Sequence, residues 1–207
     1  MKPKEILIAT TNPGKVREIE PMLKDLGFLE IKTLKDFPLI PPPEEKGNTF
    51  LENALEKVSY YANHFNILTL ADDSGLEVEA LSGAPGIHSS RFAGEKATDE
   101  ENVKKLLKLL EGVPFEKRKA RFVCVIVVYH PSGRWISAEG EWQGYIAEEP
   151  RGTQGFGYDP VFLVPEYNLE RTAAELSKEE KNRISHRAKA IQAIIPKLKD
   201  FLKKIDT

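Results

Sequence analysis

The stretch ILIATTNPGKVREI, residues 6–19, narrows the possible folds more than any other. It starts as a buried strand, turns through Asn12-Pro13-Gly14-Lys15 and continues with helical periodicity. Val16, Ile19, Leu23 and Leu26 fall on one face, and Gly27 ends it. Asn12 suits the N-cap and Pro13 the first helical position. Pro21 stands inside the pattern and is expected to kink the helix, because it brings no N–H. A strand feeding straight into a helix is a building unit of α/β sheets.

The unit recurs along the chain. FPLIPPPEEKGN leads into a second helical stretch, TFLENALEKVSYYANHF, in which Thr49 and Glu52 have capping-box spacing and Asn53 and Lys57 share a face. ILTLADDSGLEVEAL reads as an interior strand over residues 67–71, a turn at Asp72-Asp73-Ser74-Gly75, and a second strand with period-two alternation. A third helix is predicted from about residue 98 to 111, with Thr98 and Glu101 again at capping spacing and Gly112 as its stop. ARFVCVIVVYHPSGRWISAEGEW is a hairpin turning at Pro131-Ser132-Gly133. The last stretch is helical, with Ile191, Ile194, Ile195, Leu198, Phe201, Leu202 and Ile205 on its buried side. Strands alternating with helices, plus a hairpin, predict a mixed α/β sheet in a single domain over residues 1–207.

Composition excludes several classes. A chain of 207 residues with 41% hydrophobic and 30% charged residues can bury a real core and has a soluble make-up. A net charge of −2 leaves no basic footprint for a nucleic acid, although a small anion needs only a few local donors. The single cysteine, Cys124, sits in the apolar run RFVCVIVVY and reads as inert packing. That run is far too short to cross a bilayer. The opening MKPKEILIAT turns polar before a signal-peptide core forms, so a cytoplasmic location is expected.

Four clusters carry residues suited to chemistry, each with a plainer alternative. Thr10 and Thr11 with Asn12, Pro13, Gly14 and Lys15 bring hydroxyls, an amide, a glycine N–H and a lysine to a helix N-terminus, which suits an anion. An ordinary capped turn uses the same residues, and the spacing is not that of a Walker loop. Asp72 and Asp73, with Glu44 and Glu45 upstream, are oxygen ligands of the kind magnesium takes, or else a solvated acidic turn. Phe156 between glycines in GFGYDPVF offers a stacking face to a nucleobase, or simply packs. Lys181 with Ser185, His186 and Arg187 supplies donors, or is the solvated face of a terminal helix. Together they make the inventory of a nucleoside triphosphate site.

The motifs ATTNPGK, ADDSGLEVEAL with GAPG, GFGYDPVF and SHR stand in the order expected of the inosine triphosphate pyrophosphatases, and the sequence resembles that family from residue 6 to about 190. Thr10 stands where many relatives carry serine, which keeps the oxygen. The resemblance implies a long mixed sheet in two lobes flanked by helices, with the substrate in the cleft between lobes. It also implies a homodimer and a requirement for Mg2+. Residues Thr10, Thr11, Asn12, Pro13, Gly14 and Lys15 would hold the phosphates, with Lys57 reaching them from the second helix. Glu44 would ligate the metal, Asp73 would accept the proton of water and touch the metal, Asp72 would support it, and Ser74 would lie near the substrate. Phe156, Gly157, Tyr158, Asp159, Lys181, His186 and Arg187 would line the nucleoside end, and exposed aromatics such as Trp135 and Trp142 would serve a subunit interface.

The implied activity is hydrolysis of ITP, dITP and XTP to the monophosphate and pyrophosphate. A donor such as Arg187 would pair with the 6-keto group and face the amino group of adenine. Guanine shares the 6-keto group, so its rejection requires that no acceptor be open to its 2-amino group. Asp159 is such an acceptor unless its own neighbours occupy it. The alternatives are a Maf-like nucleotide pyrophosphatase, whose arginine-rich continuation TTNPGK lacks, and a nucleotide sensor that has lost catalysis, which need not keep Asp73 and Glu44.

Overall fold

The computed structural model describes residues 2–206. Strand β1 (Lys4–Ile8) runs into helix α1 (Pro13–Lys24), and β2 (Leu29–Thr33) follows. Asn12 caps α1 as expected, its Oδ1 accepting the N–H groups of Gly14 and Lys15. Pro21 lies inside α1 without ending it. It falls in the last turn, where a missing N–H removes one bond and breaks no long ladder. Strand β2 escapes the sequence pattern because its burial does not alternate: only Leu29 is buried, and the rest are half-buried.

Helix α2 (Phe50–Phe65) and helix α3 (Asp99–Leu109) begin where their caps predict, at Thr49 and Thr98. The hairpin is present as β4 (Lys119–Tyr129) and β5 (Trp135–Ile146), with His130 N–H donating to Arg134 O across the turn. A two-residue strand, β6 (Phe162–Leu163), follows. The terminal helical stretch is broken at Ser185 into α4 (Lys178–Ile184) and α5 (His186–Ile205).

One expectation fails. The predicted turn at Asp72-Asp73-Ser74-Gly75 is the middle of a single strand, β3 (Thr69–Val78). The sheet order is β2-β1-β3-β4-β5-β6, so β3 is an interior strand with a hydrogen-bonded neighbour on each side, β1 and β4. That pairing overrides the local turn preference of Asp, Ser and Gly. Strand β1 pairs parallel with β2 and β3, and β5 pairs antiparallel with β6, which makes the sheet mixed.

The chain divides into two compact units. The first comprises Met1–Asp73, Cys124–Gly140 and Arg187–Thr207, and the second Ser74–Val123 and Glu141–His186. Each has its own core. In the first, Ile6, Ile8, Leu70, Cys124 and Ile126 from the sheet pack with Ile19 and Leu23 of α1 and with Ile191, Ile194, Leu198 and Phe201 of α5. In the second, Leu76, Phe122, Trp142 and Phe162 pack with Val103 and Leu106 of α3.

Trp142 was expected on the surface but is fully buried; its ring lies 5.0 Å from Phe162 and 6.1 Å from Phe122, and its Nε1–H donates to Glu166 at 3.3 Å. Period-two alternation in β5 places it on the inward face, whereas Trp135 at the strand's start stays 43% exposed. Replacing Trp142 with Ala should lower the unfolding free energy by ~3–5 kcal/mol, read from urea denaturation, and Trp142→Phe by markedly less.

Candidate active site

In the first unit, charges converge on β3. The Asp72 carboxylate is buried and receives the Arg187 guanidinium, with Nη2 at 3.3 Å and Nε at 3.4 Å from Oδ2. Lys15 Nζ stands 3.1 Å from its other oxygen, and the Cys124 thiol lies 3.7 Å from Oδ2. Burial alone would raise the Asp72 pKa, but Lys15, Arg187 and Lys57 together hold it well below the ordinary carboxylate range. Arg187 also pairs with the buried Glu18 of α1; burial works against its charge, and Glu18 and Asp72 outweigh that and raise its pKa. Cys124 is the inert thiol expected: burial first, then Asp72, pushes its pKa far up.

Lys57 of α2 donates from Nζ to the Asp72 carbonyl at 2.8 Å and lies 3.5 Å from Glu45. Burial again acts against the charge, while Asp72, Glu45 and Asp73 raise its pKa on balance. Asp73 differs from its neighbour. Strand alternation sends it to the opposite face from Asp72, and its Oδ2 is buried with no hydrogen-bond partner among the described residues. Burial pushes its carboxyl up from 3.8 to about 6; Lys15 and Lys57 oppose the rise, and Glu45 and Asp72 add to it. A carboxyl with a pKa of about 6 in the field of two lysines is chemically able to accept a proton near neutral pH.

At the α1 turn the N–H groups of Asn12, Gly14 and Lys15 are engaged within the turn itself. Thr10 Oγ1 accepts from Asn12 N–H at 3.1 Å, and Asn12 Oδ1 accepts from Gly14 and Lys15 N–H. What this turn presents toward the aspartates is the Lys15 side chain, while Thr11 and Pro13 are exposed.

The second unit holds the other cluster. Asp159, 2% exposed, accepts from Lys181 Nζ at 2.5 Å and from Phe156 N–H at 3.1 Å, both at Oδ2. Lys181 Nζ also sits 4.9 Å from the centre of the Phe156 ring. Gly157 N–H donates to Asp99 of α3 at 2.9 Å, and the Tyr158 hydroxyl donates to Ser89 O at 2.6 Å. Gly155 has φ +72°, and a Cβ there would lie 2.0 Å from Asp159 Oδ2, so only glycine lets the loop close on this carboxylate. His186 is stacked on Phe122 at 4.7 Å within the core of this unit. Ser74 is half-buried on β3.

The family model described as the Ham1 family matches residues 6–197. The chain belongs to the Ham1 family. Curated relatives include a dITP/XTP pyrophosphatase of Desulforamulus reducens, 51% identical over 91% of this chain and 92% of its own length, and one of Geobacillus kaustophilus, 52% identical over 91% of each. Among solved structures, a HAM1 protein from Coxiella burnetii matches with TM-score 0.84 at 43% identity, over 95% of this chain and 99% of its own. The Staphylococcus aureus Ham1 protein matches with TM-score 0.80 at 42% identity, over 97% and 99%.

Within this Ham1 chain several residues sit differently from their sequence-based roles. Glu44 points to solvent and pairs with Lys46 at 2.9 Å, so the carboxylate beside Lys57 and Asp73 is Glu45. Asp72 is ringed by cations and faces away from Asp73, which fits an anchor for Lys15 and Arg187 better than a metal ligand. Arg187 is 1% exposed and engaged by two carboxylates, where it was expected as a base-reading donor. Glu18 belongs to none of the motifs; its one sequence signal is an acidic residue on the inner face of α1, beside Ile19.

Among the described residues no group of three or more His, Cys, Asp or Glu is gathered as a metal cage. The native state binds the Asp73 proton more tightly than the unfolded chain, so stability falls as pH rises from about 4 to about 6. In metal-free protein Asp73→Asn is therefore expected to be more stable than wild type by ~2 kcal/mol at pH 8 and nearly equal near pH 4, measured by urea denaturation in a chelator.

Proposed function

We propose that the chain hydrolyses ITP, dITP and XTP to the monophosphate and pyrophosphate with magnesium, clearing deaminated purines from the nucleotide pool. The observation that carries the reading is Asp73: a buried carboxyl with a pKa of about 6, an oxygen without a hydrogen-bond partner among the described residues, and Lys15, Lys57 and Glu45 acting on its charge. The relatives' names give two of these substrates, dITP and XTP. The same reading carries a cytoplasmic homodimer, for which Trp135 and the fully exposed Leu39 supply apolar surface.

Glu45 and Asp73 would hold the magnesium; a pair of carboxylates without a cage suits an ion that completes its shell with waters and phosphate oxygens. When bound, that ion neutralises phosphate charge and polarises the oxygens it touches. Asp73 takes the proton of the water attacking the α-phosphorus, or orients that water. Lys15 and Lys57 stabilise charge on the departing pyrophosphate from positions already fixed by Asp72, so little reorganisation accompanies the transition state.

Selectivity follows from the second cluster. Phe156 offers the base a stacking face, worth ~1–3 kcal/mol. Asp159 Oδ2 is the acceptor that a guanine 2-amino group would seek, and Lys181 and the Phe156 N–H already use it. The Lys181 ammonium beside it favours the 2-keto oxygen of xanthine, tolerates the bare carbon of hypoxanthine and repels an amino donor.

Pyrophosphate release with magnesium should be seen from ITP, dITP and XTP, be far weaker from GTP and ATP, and fall by ~10³-fold or more in Asp73→Asn. Lys181→Met should lower activity on XTP and raise the GTP to ITP ratio of kcat/KM by ~10-fold, equivalent to one hydrogen-bonding group. Preference for dTTP or UTP would instead mark a Maf-like enzyme, and ITP binding without release a sensor.

A further inference from the structure

Helix α2 grips the turn before it. Successive N–H groups of that turn each donate to a side chain of the helix: Lys46 to Glu56 Oε2 at 3.1 Å, Gly47 to Asn53 Oδ1 at 2.8 Å, and Asn48 to Glu52 Oε2 at 2.6 Å. Further back, the Tyr60 hydroxyl donates to Pro41 O at 2.6 Å. Lys57, one helical turn beyond Asn53 on the same face, reaches Glu45. Glu52 and Glu56 make their bonds in solvent, where water competes; Asn53 is fully buried.

The fit at Asn53 is close. A Cβ on Gly47 would stand 2.6 Å from Asn53 Oδ1, 2.7 Å from Glu52 Cβ and 2.9 Å from Asn53 N. The Gly47 N–H needs an acceptor, which fixes Oδ1 toward the turn and leaves Nδ2 on the other side, buried with no partner among the described residues. An amide kept for packing alone would be disfavoured relative to an apolar side chain of its shape, because its buried Nδ2 gains no bond to offset desolvation.

We propose that Asn53 is a positioning residue for the carboxylate turn: by holding the Gly47 N–H it sets Glu45 against Lys57 and Asp73. The inference rests on the pyrophosphatase reading for its consequence in catalysis, and its geometric half is testable without it. Asn53→Leu keeps the volume and removes the acceptor, whereas Asn53→Asp keeps an oxygen facing Gly47. Three quantities are measured: exchange of the Gly47 amide by NMR, the magnesium concentration giving half of the maximal thermal stabilisation without nucleotide, and kcat and KM for ITP.

Asn53→Leu should speed Gly47 exchange and raise the half-saturating magnesium concentration by ~10-fold or more, with kcat falling more than KM rises. Asn53→Asp should restore slow exchange at Gly47. Wild-type exchange and magnesium response in Asn53→Leu, with only a lowered melting temperature, would overturn the proposal. Should Asn53→Leu not fold, Gly47→Ala attacks the same contact from the other partner and is read in the same way. A wild-type protein indifferent to magnesium would refute the metal reading alone, and Gly47 exchange in the variants would still decide whether Asn53 holds the turn.

Discussion

Asp72 is an ionised side chain in the middle of an interior strand with almost no access to water, and such a group persists only where cations are brought to it. Lys15 comes from the start of α1, Lys57 from the middle of α2 and Arg187 from the first turn of α5. Helices adjacent to β3 in the first unit are thereby tied to one residue. Arg187 has a further need for carboxylates: a cation in the first turn of a helix faces the positive end of the dipole, and Glu18 with Asp72 offsets it. Replacing such a network by apolar side chains often does not destabilise a protein, so its retention is better explained by placement than by stability.

Placement is what the neighbouring residue uses. Asp73 shares the lysines of Asp72 electrostatically while facing the other way, and so receives two fixed cations without being neutralised by a direct pair. Had Asp73 an ion pair of its own, its pKa would be depressed like that of Asp72 and it would be a poor proton acceptor near neutral pH. Two adjacent aspartates thus differ in role because a strand alternates its faces, one serving as a counter-ion and the other left proton-hungry.

What could be read in the sequence was local. Asn12, Thr49 and Thr98 mark helix starts because a capping side chain acts on N–H groups two or three residues away, and the helices begin there. What could not be read was decided by distant partners. DDSG carries turn residues, yet hydrogen bonding on both sides of β3 holds it extended. Arg187 in a run of polar residues resembles a solvated or ligand-facing side chain; only the meeting of α1, β3 and α5 shows it closed off by Glu18 and Asp72. Glu44 and Glu45 are chemically identical neighbours, and nothing in their order reveals which one faces Lys57.

That choice between the glutamates is made by α2, and it shows how a proline-rich segment without helix or strand can hold a carboxylate against Lys57 at all. Residues 41–48 form no helix or strand, and a segment of that kind would ordinarily leave a side chain free over several ångströms. Here Tyr60, Glu56, Asn53 and Glu52 lie at helical spacing along one side of α2 and take up the segment's backbone groups in reverse order, so the loop inherits the rigidity of the helix. Lys57 belongs to the same row, which means that the helix sets both the loop's carboxylate and the cation facing it. The separation between Glu45 and Lys57 is therefore fixed by one rigid element, and the site needs the sheet only to bring Asp73 to the pair.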